Sequence, residues 1–260
     1  MKEIETKNGI TWTFDSLADY KKQMLKMANG EGHSEKYSKD AWHGTKSWDE
    51  FIELLTYGDE NVTAQIKEET QLKVAEFRKK YEDELTNYKF DVTGQFFDVG
   101  LVLTGVPEAW LEPEFTPTEK AKVELIINAS FPDGTDLKRI VKNAGKVLAM
   151  VKVLEEHDVE VKIKAVTGGK NVDQSRSRTF EMLFETVVKD YDEPLNYNKC
   201  SAIITPTYLR RGWFKMAEAL SNNLNSSYGQ IVKVDNAIEL RTDSDVEELE
   251  KRLFKKGGKR

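Results

Sequence analysis

The chain has 260 residues, of which 39% are hydrophobic and 32% charged, and its formal net charge is −6 at pH 7. This length can bury a sizeable core, and the negative charge disfavours a nucleic-acid-binding protein that works through bulk positive charge. Nowhere does the sequence approach the run of ~18 apolar residues that a membrane-spanning helix needs.

The cysteine content and the first residues predict the compartment. Cys200 is the single cysteine, so it has no partner for an internal disulfide. Residues 1–9 lack the apolar core of a secretory signal. A reducing cytoplasm is therefore the expected location.

The first part of the chain is predicted to be helical. Asp15 or Ser16 can cap a helix over residues 17–28, and the capping-box spacing of Ser47 and Glu50 opens a second helix over 48–57. A stretch from 60 to 88 has no Pro or Gly and is rich in strong helix formers, which predicts a third, longer helix. Together these patterns indicate a helical amino-terminal region over residues 1–89.

From residue 89 the helical spacing of apolar residues ends, and β-branched and aromatic residues with closely spaced glycines predict short strands and bends. Residues 113–118 are predicted to be a linker. The most regular part follows at 122–164. There an apolar run at 123–127 precedes apolar residues at helical spacing, and an alternating pattern comes next. This order predicts a parallel strand–helix–strand unit with a right-handed crossover. We therefore predict an α/β domain over residues 90–260, with a mostly parallel sheet flanked by helices.

The remaining elements are predicted to be shorter. They are an exposed loop at 167–178, a strand at 180–188, a short apolar strand at 201–205, a helix at 206–221, strands at 231–234 and 238–240, and a final helix at 245–254.

The turn after the strand at 123–127 carries four candidate binding residues: Asn128, Ser130, Asp133 and Asp136. Turns at this place often bind ligands in parallel-sheet proteins. An Asp-x-Ser-x-Ser motif would offer hard oxygen ligands to Mg²⁺ here, but Asn128 replaces its first carboxylate and Pro132 its last hydroxyl. We expect the turn to be a scaffold or docking site rather than a tight metal site.

An alternative is a Mg²⁺-dependent nuclease. Pro132-Asp133 followed by Glu160-Val161-Lys162 matches the residue types of the PD-(D/E)-x-K pattern, in which two carboxylates hold Mg²⁺ and the lysine activates water. The predicted topology opposes it, because Glu160 begins a strand at the opposite edge of the sheet from the turn.

Two arginines form a second candidate site. Arg210 and Arg211 fall in the first turns of the helix predicted after Pro206, where they oppose the helix dipole. Such a position indicates pairing either with an internal acid such as Asp133 or Asp192, which we favour, or with a phosphate.

Several short strings resemble a phage-encoded family of unknown function. They are Trp42-His43-Gly44, Ser47-Trp48-Asp49-Glu50-Phe51, Asp91-Val92-x-Gly94, Asp98-Val99-Gly100, Leu103-x-Gly105-x-Pro107-Glu108, Glu193-Pro194-Leu195 and Pro206-x-x-Leu209-Arg210-Arg211-x-x-Phe214. The resemblance covers most of residues 42–220 and implies a bacteriophage protein of the host bacterial cytoplasm. The α/β part also resembles a degenerate von Willebrand A-like, Rossmann-like domain.

The resemblance to the phage-encoded family implies no particular activity, whereas the resemblance to von Willebrand A-like domains implies a function in binding rather than catalysis. Von Willebrand A-like domains often serve as adaptors, including partners of AAA+ ATPases, so a non-enzymatic interaction module with a protein partner and no cofactor is the leading hypothesis. Nucleic acid is a less favoured partner, and no membrane association is expected. The alternatives are the nuclease, with Asp133, Glu160, Lys162 and Mg²⁺, and a virion structural component.

Overall fold

The computed structural model describes residues 1–6, 9–27, 44–81, 120–131, 134–173, 178–220, 230–231 and 234–254. The strands are β1 (Lys2–Thr6), β2 (Gly9–Phe14), β3 (Lys122–Asn128), β4 (Glu160–Asp173), β5 (Arg178–Lys189), β6 (Gln230–Ile231) and β7 (Ile238–Glu239). The helices are α1 (Leu17–Met27), α2 (Trp48–Tyr57), α3 (Glu60–Lys80), α4 (Leu137–Glu155), α5 (Tyr197–Ile204), α6 (Phe214–Leu220) and α7 (Asp243–Phe254). A π-helical segment, Tyr208–Trp213, leads into α6.

Seven described strands form one mixed sheet: six lie in the order β1-β2-β5-β4-β3-β7, and the seventh, β6, pairs with the far part of β4. Strand β2 is parallel to β5, and β3 is parallel to both β4 and β7. The β1/β2 and β4/β5 pairs are antiparallel. The predicted parallel unit is therefore present as β3–α4–β4, and the α/β class with helices flanking the sheet is confirmed.

Alternation along the strands separates a buried face from a polar one. Val161, Ile163 and Ala165 of β4 are fully buried, and α4 contacts this strand. Lys162 and Lys164 lie between them in sequence, so they project to the opposite face. There Lys164 forms ion pairs of 3.0 Å with Glu124 of β3 and with Glu185 of β5. The core thus lies on the α4 side of the sheet.

The helices contact one another in the series α1–α2–α5–α3–α4–α7. Among the described helices, α3 and α4 pack against each other most extensively. This packing depends on Gly145, where an added Cβ would lie 2.5 Å from Glu69 Cβ. Because α5 is inserted between α2 and α3, the surface where these three helices meet is assembled from residues far apart in sequence.

The three predicted amino-terminal helices are confirmed within the described residues. Ser47 caps α2 by accepting a hydrogen bond from the Glu50 amide at 3.1 Å, and Gly58 ends it with a φ of +74°. Asp59 caps α3 through the Val62 amide at 2.9 Å. The predicted division at residue 89, and the predicted strands and linker up to residue 118, lie outside the described residues.

Residues 2–6 and 9–14 differ from the prediction of a helical amino-terminal region, because they form β1 and β2. Trp12 and Phe14 of β2 are buried in the main core, and Trp12 packs edge-on against Phe184 of β5 at 5.2 Å between ring centroids. This stretch therefore belongs to the same sheet as the later strands.

Two later predictions were wrong. The predicted loop at 167–178 is part of the β4/β5 hairpin as far as Asp173, because Thr167 and Gly168 pair with Phe184 and Leu183 of β5. The predicted strand at 201–205 lies in α5 and its carboxyl-terminal end. Asn196 favours this helix because its side chain accepts hydrogen bonds from two amides of the first turn, at 2.9 and 3.2 Å.

No helix in the described ranges combines the length and the hydrophobicity needed to cross a membrane.

Candidate functional site

The described candidate residues of the predicted turn after β3, Asn128, Ser130 and Asp136, are all held by hydrogen bonds, and we call these three residues the closed turn. Asn128 is 1% exposed. Its side-chain oxygen accepts from the Ser130 amide at 2.9 Å, and its amide nitrogen donates to Glu239 of β7 at 2.5 Å. Glu239 also accepts from Arg241 at 2.8 Å. Asn128 therefore links the end of β3 to the neighbouring strand.

Ser130 makes the corresponding connection to β4. Its hydroxyl is buried, accepts from the Gly168 amide at 3.0 Å and lies 3.3 Å from the Gly168 carbonyl oxygen. The Ala129 amide donates to the Val166 carbonyl at 2.8 Å just before it. Both residues thus extend the β3/β4 pairing beyond the last residue of β3.

These contacts predict that Ser130→Ala lowers the free energy of unfolding by about 1–2 kcal/mol, because the buried Gly168 amide loses its acceptor. Urea unfolding in the presence of EDTA measures this without any contribution from metal. Ser244→Ala, at an exposed serine, is the control and is expected to stay within about 0.5 kcal/mol. A Ser130→Ala variant as stable as the control would contradict the structural role.

Asp136 is the amino-terminal cap of α4, because its side chain accepts from the Lys138 amide at 3.0 Å. Asp133 lies outside the described residues. Within the described ranges, no three His, Cys, Asp or Glu side chains are grouped so that they could hold a metal ion. The turn thus brings Asn128 and Ser130 together and uses Asp136 to start the helix.

The structure places Glu160 and Lys162 away from this turn. Glu160 pairs with Lys122, six residues before Asn128, and at ~3.3 Å per residue this separation is roughly 20 Å. Lys162 forms an ion pair with Asp190 at 3.1 Å. The Tyr191 amide, and after it Lys162, lowers the pKa of the Asp190 carboxyl group.

Arg210 and Arg211 lie in the π-helical segment and are buried. Arg211 donates to the Thr45 hydroxyl through Nε and to the Thr45 carbonyl through Nη2, both at 2.7 Å. Two residues past the segment, Lys215 places its ammonium group 5.6 Å from the centroid of the Trp48 ring. These contacts hold the approach to α2 against the segment. The binding roles predicted for the arginines and for the turn stay predictions.

The structure also has a surface groove where α2, α3 and α5 meet, which the sequence did not predict. Its first compartment has a volume of about 770 Å³ and lies between the end of α2 and the start of α3. The second, of about 440 Å³, lies along the residues that lead into α5. Lys67 and Asn198 line both compartments, so we treat them as one trough, which we call the helix groove.

Acidic side chains dominate the first compartment of the helix groove. Its charged lining residues are Glu50, Glu53, Asp59, Glu60 and Lys67. The only signal in the sequence was the density of acids between residues 49 and 60, which is also typical of a solvated helix face. The contribution of α5 could not be predicted, because residues 201–204 of this helix were expected to lie in a strand.

No curated protein and no solved structure matches this chain. One family pattern does, over residues 2–251, which is nearly the whole chain and includes the β1/β2 strands, the closed turn and the helix groove. The chain therefore belongs to the family described as domain of unknown function DUF7192.

Proposed function

We propose that this chain is a non-enzymatic interaction module of a bacteriophage that binds a protein partner in the host cytoplasm through a von Willebrand A-like domain without a cofactor. The observation that carries the proposal is the helix groove. It is open to solvent and has two joined compartments of about 770 and 440 Å³. A trough of this form suits an extended protein segment better than a small molecule, whose sites are typically enclosed.

The closed turn supports the same proposal. Asn128, Ser130 and Asp136 direct their polar groups to neighbouring strands or to the first turn of α4. These side chains stabilise the scaffold that carries the groove. Because von Willebrand A-like domains often serve as adaptors of AAA+ ATPases, we propose an AAA+ ATPase as the class of partner.

Cleavage of nucleic acid and binding of a protein partner can be tested on one preparation of the protein. The purified chain is incubated with single-stranded DNA, duplex DNA and RNA in Mg²⁺, and the products are resolved on gels. In parallel, the tagged chain is recovered from infected cells, and the complex is rebuilt from purified components. We expect intact nucleic acid and one partner that forms a complex again in size-exclusion chromatography.

Metal-dependent cleavage that Asp133→Ala abolishes would overturn the proposal, provided that Asp192→Ala, a change at an exposed acid, leaves the cleavage intact. Recovery of the chain in stoichiometric amounts from purified virions, with no rebuilt complex, would also overturn it, because a virion component would then explain the protein.

A further inference from the structure

The two compartments of the helix groove differ in chemistry. In the first, four carboxylates (Glu50, Glu53, Asp59 and Glu60) face one ammonium group, that of Lys67, which gives this lining a formal charge of −3. The second contains Pro194 and Leu195 beside Glu193 and Lys199, where Lys199 is paired with Glu193 at 2.9 Å. One end of the trough is therefore acidic, and the other is partly apolar.

Two of the four carboxylates are already used by the fold. Glu50 accepts from the Lys46 amide at 2.5 Å, and Asp59 caps α3. Glu53 and Glu60 are exposed. In the described part of the chain, neither makes a hydrogen bond or an ion pair with another side chain. These two carboxylates are available to a cationic group that enters the groove.

An exposed aromatic ring lies beside them. Tyr57 is 71% exposed and lines the same compartment. It follows Glu53 by four residues on α2, so the two side chains share one face of the helix. Lysine and arginine bind to aromatic faces, and a neighbouring carboxylate adds charge attraction. The ring and the two carboxylates thus independently favour a basic side chain.

We propose that the helix groove binds a lysine- or arginine-rich segment of the partner protein. A basic side chain lies between Glu53, Glu60 and the Tyr57 ring, and an adjoining apolar side chain packs on Pro194 and Leu195. This inference rests on the proposed interaction function and names the chemistry of the partner. The same negative lining repels the phosphates of nucleic acid.

The test uses fluorescence anisotropy with a fluorescein-labelled peptide, Gly-Lys-Arg-Leu-Gly-Lys-Arg-Leu-Gly, and with a second peptide in which glutamate replaces each basic residue. We expect the basic peptide to bind, the acidic one not to bind, and the Kd to rise with salt. The paired variant Glu53→Lys/Glu60→Lys should raise the Kd at least tenfold, and Tyr57→Ala should raise it about threefold, which corresponds to a modest cation–π contribution.

Glu247→Lys/Glu248→Lys is the matched control, because it makes the same change in net charge at exposed residues of α7. The inference would be overturned if the control variant raised the Kd for the basic peptide as much as the groove variant does, or if the groove variant left this Kd unchanged. Circular dichroism verifies that all variants fold. If the groove variant still recovers the cellular partner, this inference fails and the interaction function stands; if the wild-type chain recovers no partner, the interaction function itself fails.

Discussion

Glu250→Gln is expected to lower the free energy of unfolding by about 2–4 kcal/mol at pH 7, because it breaks a buried ion pair. Glu250 of α7 is 6% exposed. It accepts hydrogen bonds from Lys80 at 2.6 Å, from the Tyr81 hydroxyl at 2.6 Å and from Lys146 at 2.9 Å. These donors belong to the end of α3 and to α4, so one carboxylate joins three helices.

The three donors do not contribute equally. Lys80 is 54% exposed along its side chain, so solvent screens its pairing with Glu250, and that pair adds less stability than its short distance suggests. Lys146 is 20% exposed and Tyr81 is buried, so their bonds are less screened. Tyr81 also stacks on Phe254 of α7 at 4.6 Å between ring centroids. Loss of the carboxylate should therefore loosen the α7 contact with both α3 and α4.

The effect of Glu250 depends on pH in a definite direction. Burial alone would raise the pKa of its carboxyl group, but hydrogen bonds from Lys80, Tyr81 and Lys146 outweigh it and lower the pKa from 4.5 to about 2. A lowered pKa in the folded state stabilises the protein above pH 4.5, and this contribution is lost as pH falls from 4.5 through 2. The difference between wild type and Glu250→Gln should thus be largest at pH 7 and shrink toward pH 2.

Urea unfolding at pH 7, 4 and 3 measures this difference. Glu247→Gln, at an exposed residue on the same helix, is the control and should change stability by no more than about 0.5 kcal/mol at any of these pH values. A constant difference across the three pH values would show that Glu250 acts through packing rather than charge.

The parts of the fold that could be predicted are those whose signals are local. The helix α2 was predictable because Ser47, Glu50 and Gly58 supply its caps within a dozen residues. The β3–α4–β4 unit was predictable from an apolar run, a helical period and an alternation in sequence. Strands β1 and β2 also had a local signal, because Ile10, Trp12 and Phe14 alternate with polar residues, which is typical of a strand and not of the predicted helical region.

The candidate site could not be predicted to the same extent, because its contacts are long-range. Asn128 is polar in a turn, which suggests exposure, yet its partner Glu239 lies 111 residues away and buries it. Ser130 is likewise held by Gly168, 38 residues away. The helix groove needs α5 to lie between α2 and α3, and no periodicity within any one of these helices encodes that arrangement.

Gly212→Ala is expected to destabilise the protein by about 2–3 kcal/mol, the upper part of the range for overpacking a core. Gly212 lies in the π-helical segment, where an added Cβ would sit 1.9 Å from the Tyr20 hydroxyl oxygen and 3.1 Å from Phe51 Cζ. Tyr20 cannot move aside easily, because it is fully buried and its ring packs on Phe14 and Tyr208 at 5.1 and 4.9 Å.

Tyr20→Phe should relieve the overlap. The Tyr20 hydroxyl is buried and has no hydrogen-bond partner within the described residues, so its removal alone should change stability by less than about 1 kcal/mol. In the Tyr20→Phe/Gly212→Ala variant, the closest remaining contacts of the new methyl group are the Cζ atoms of the rings at positions 20 and 51, both at 3.1 Å, so a small shift of these rings accommodates it. The double variant should therefore be more stable than Gly212→Ala alone, with a coupling energy above about 1 kcal/mol in a double-mutant cycle. Additive effects would mean that Gly212 is required for the backbone geometry of the π-helical segment and not for its contact with Tyr20.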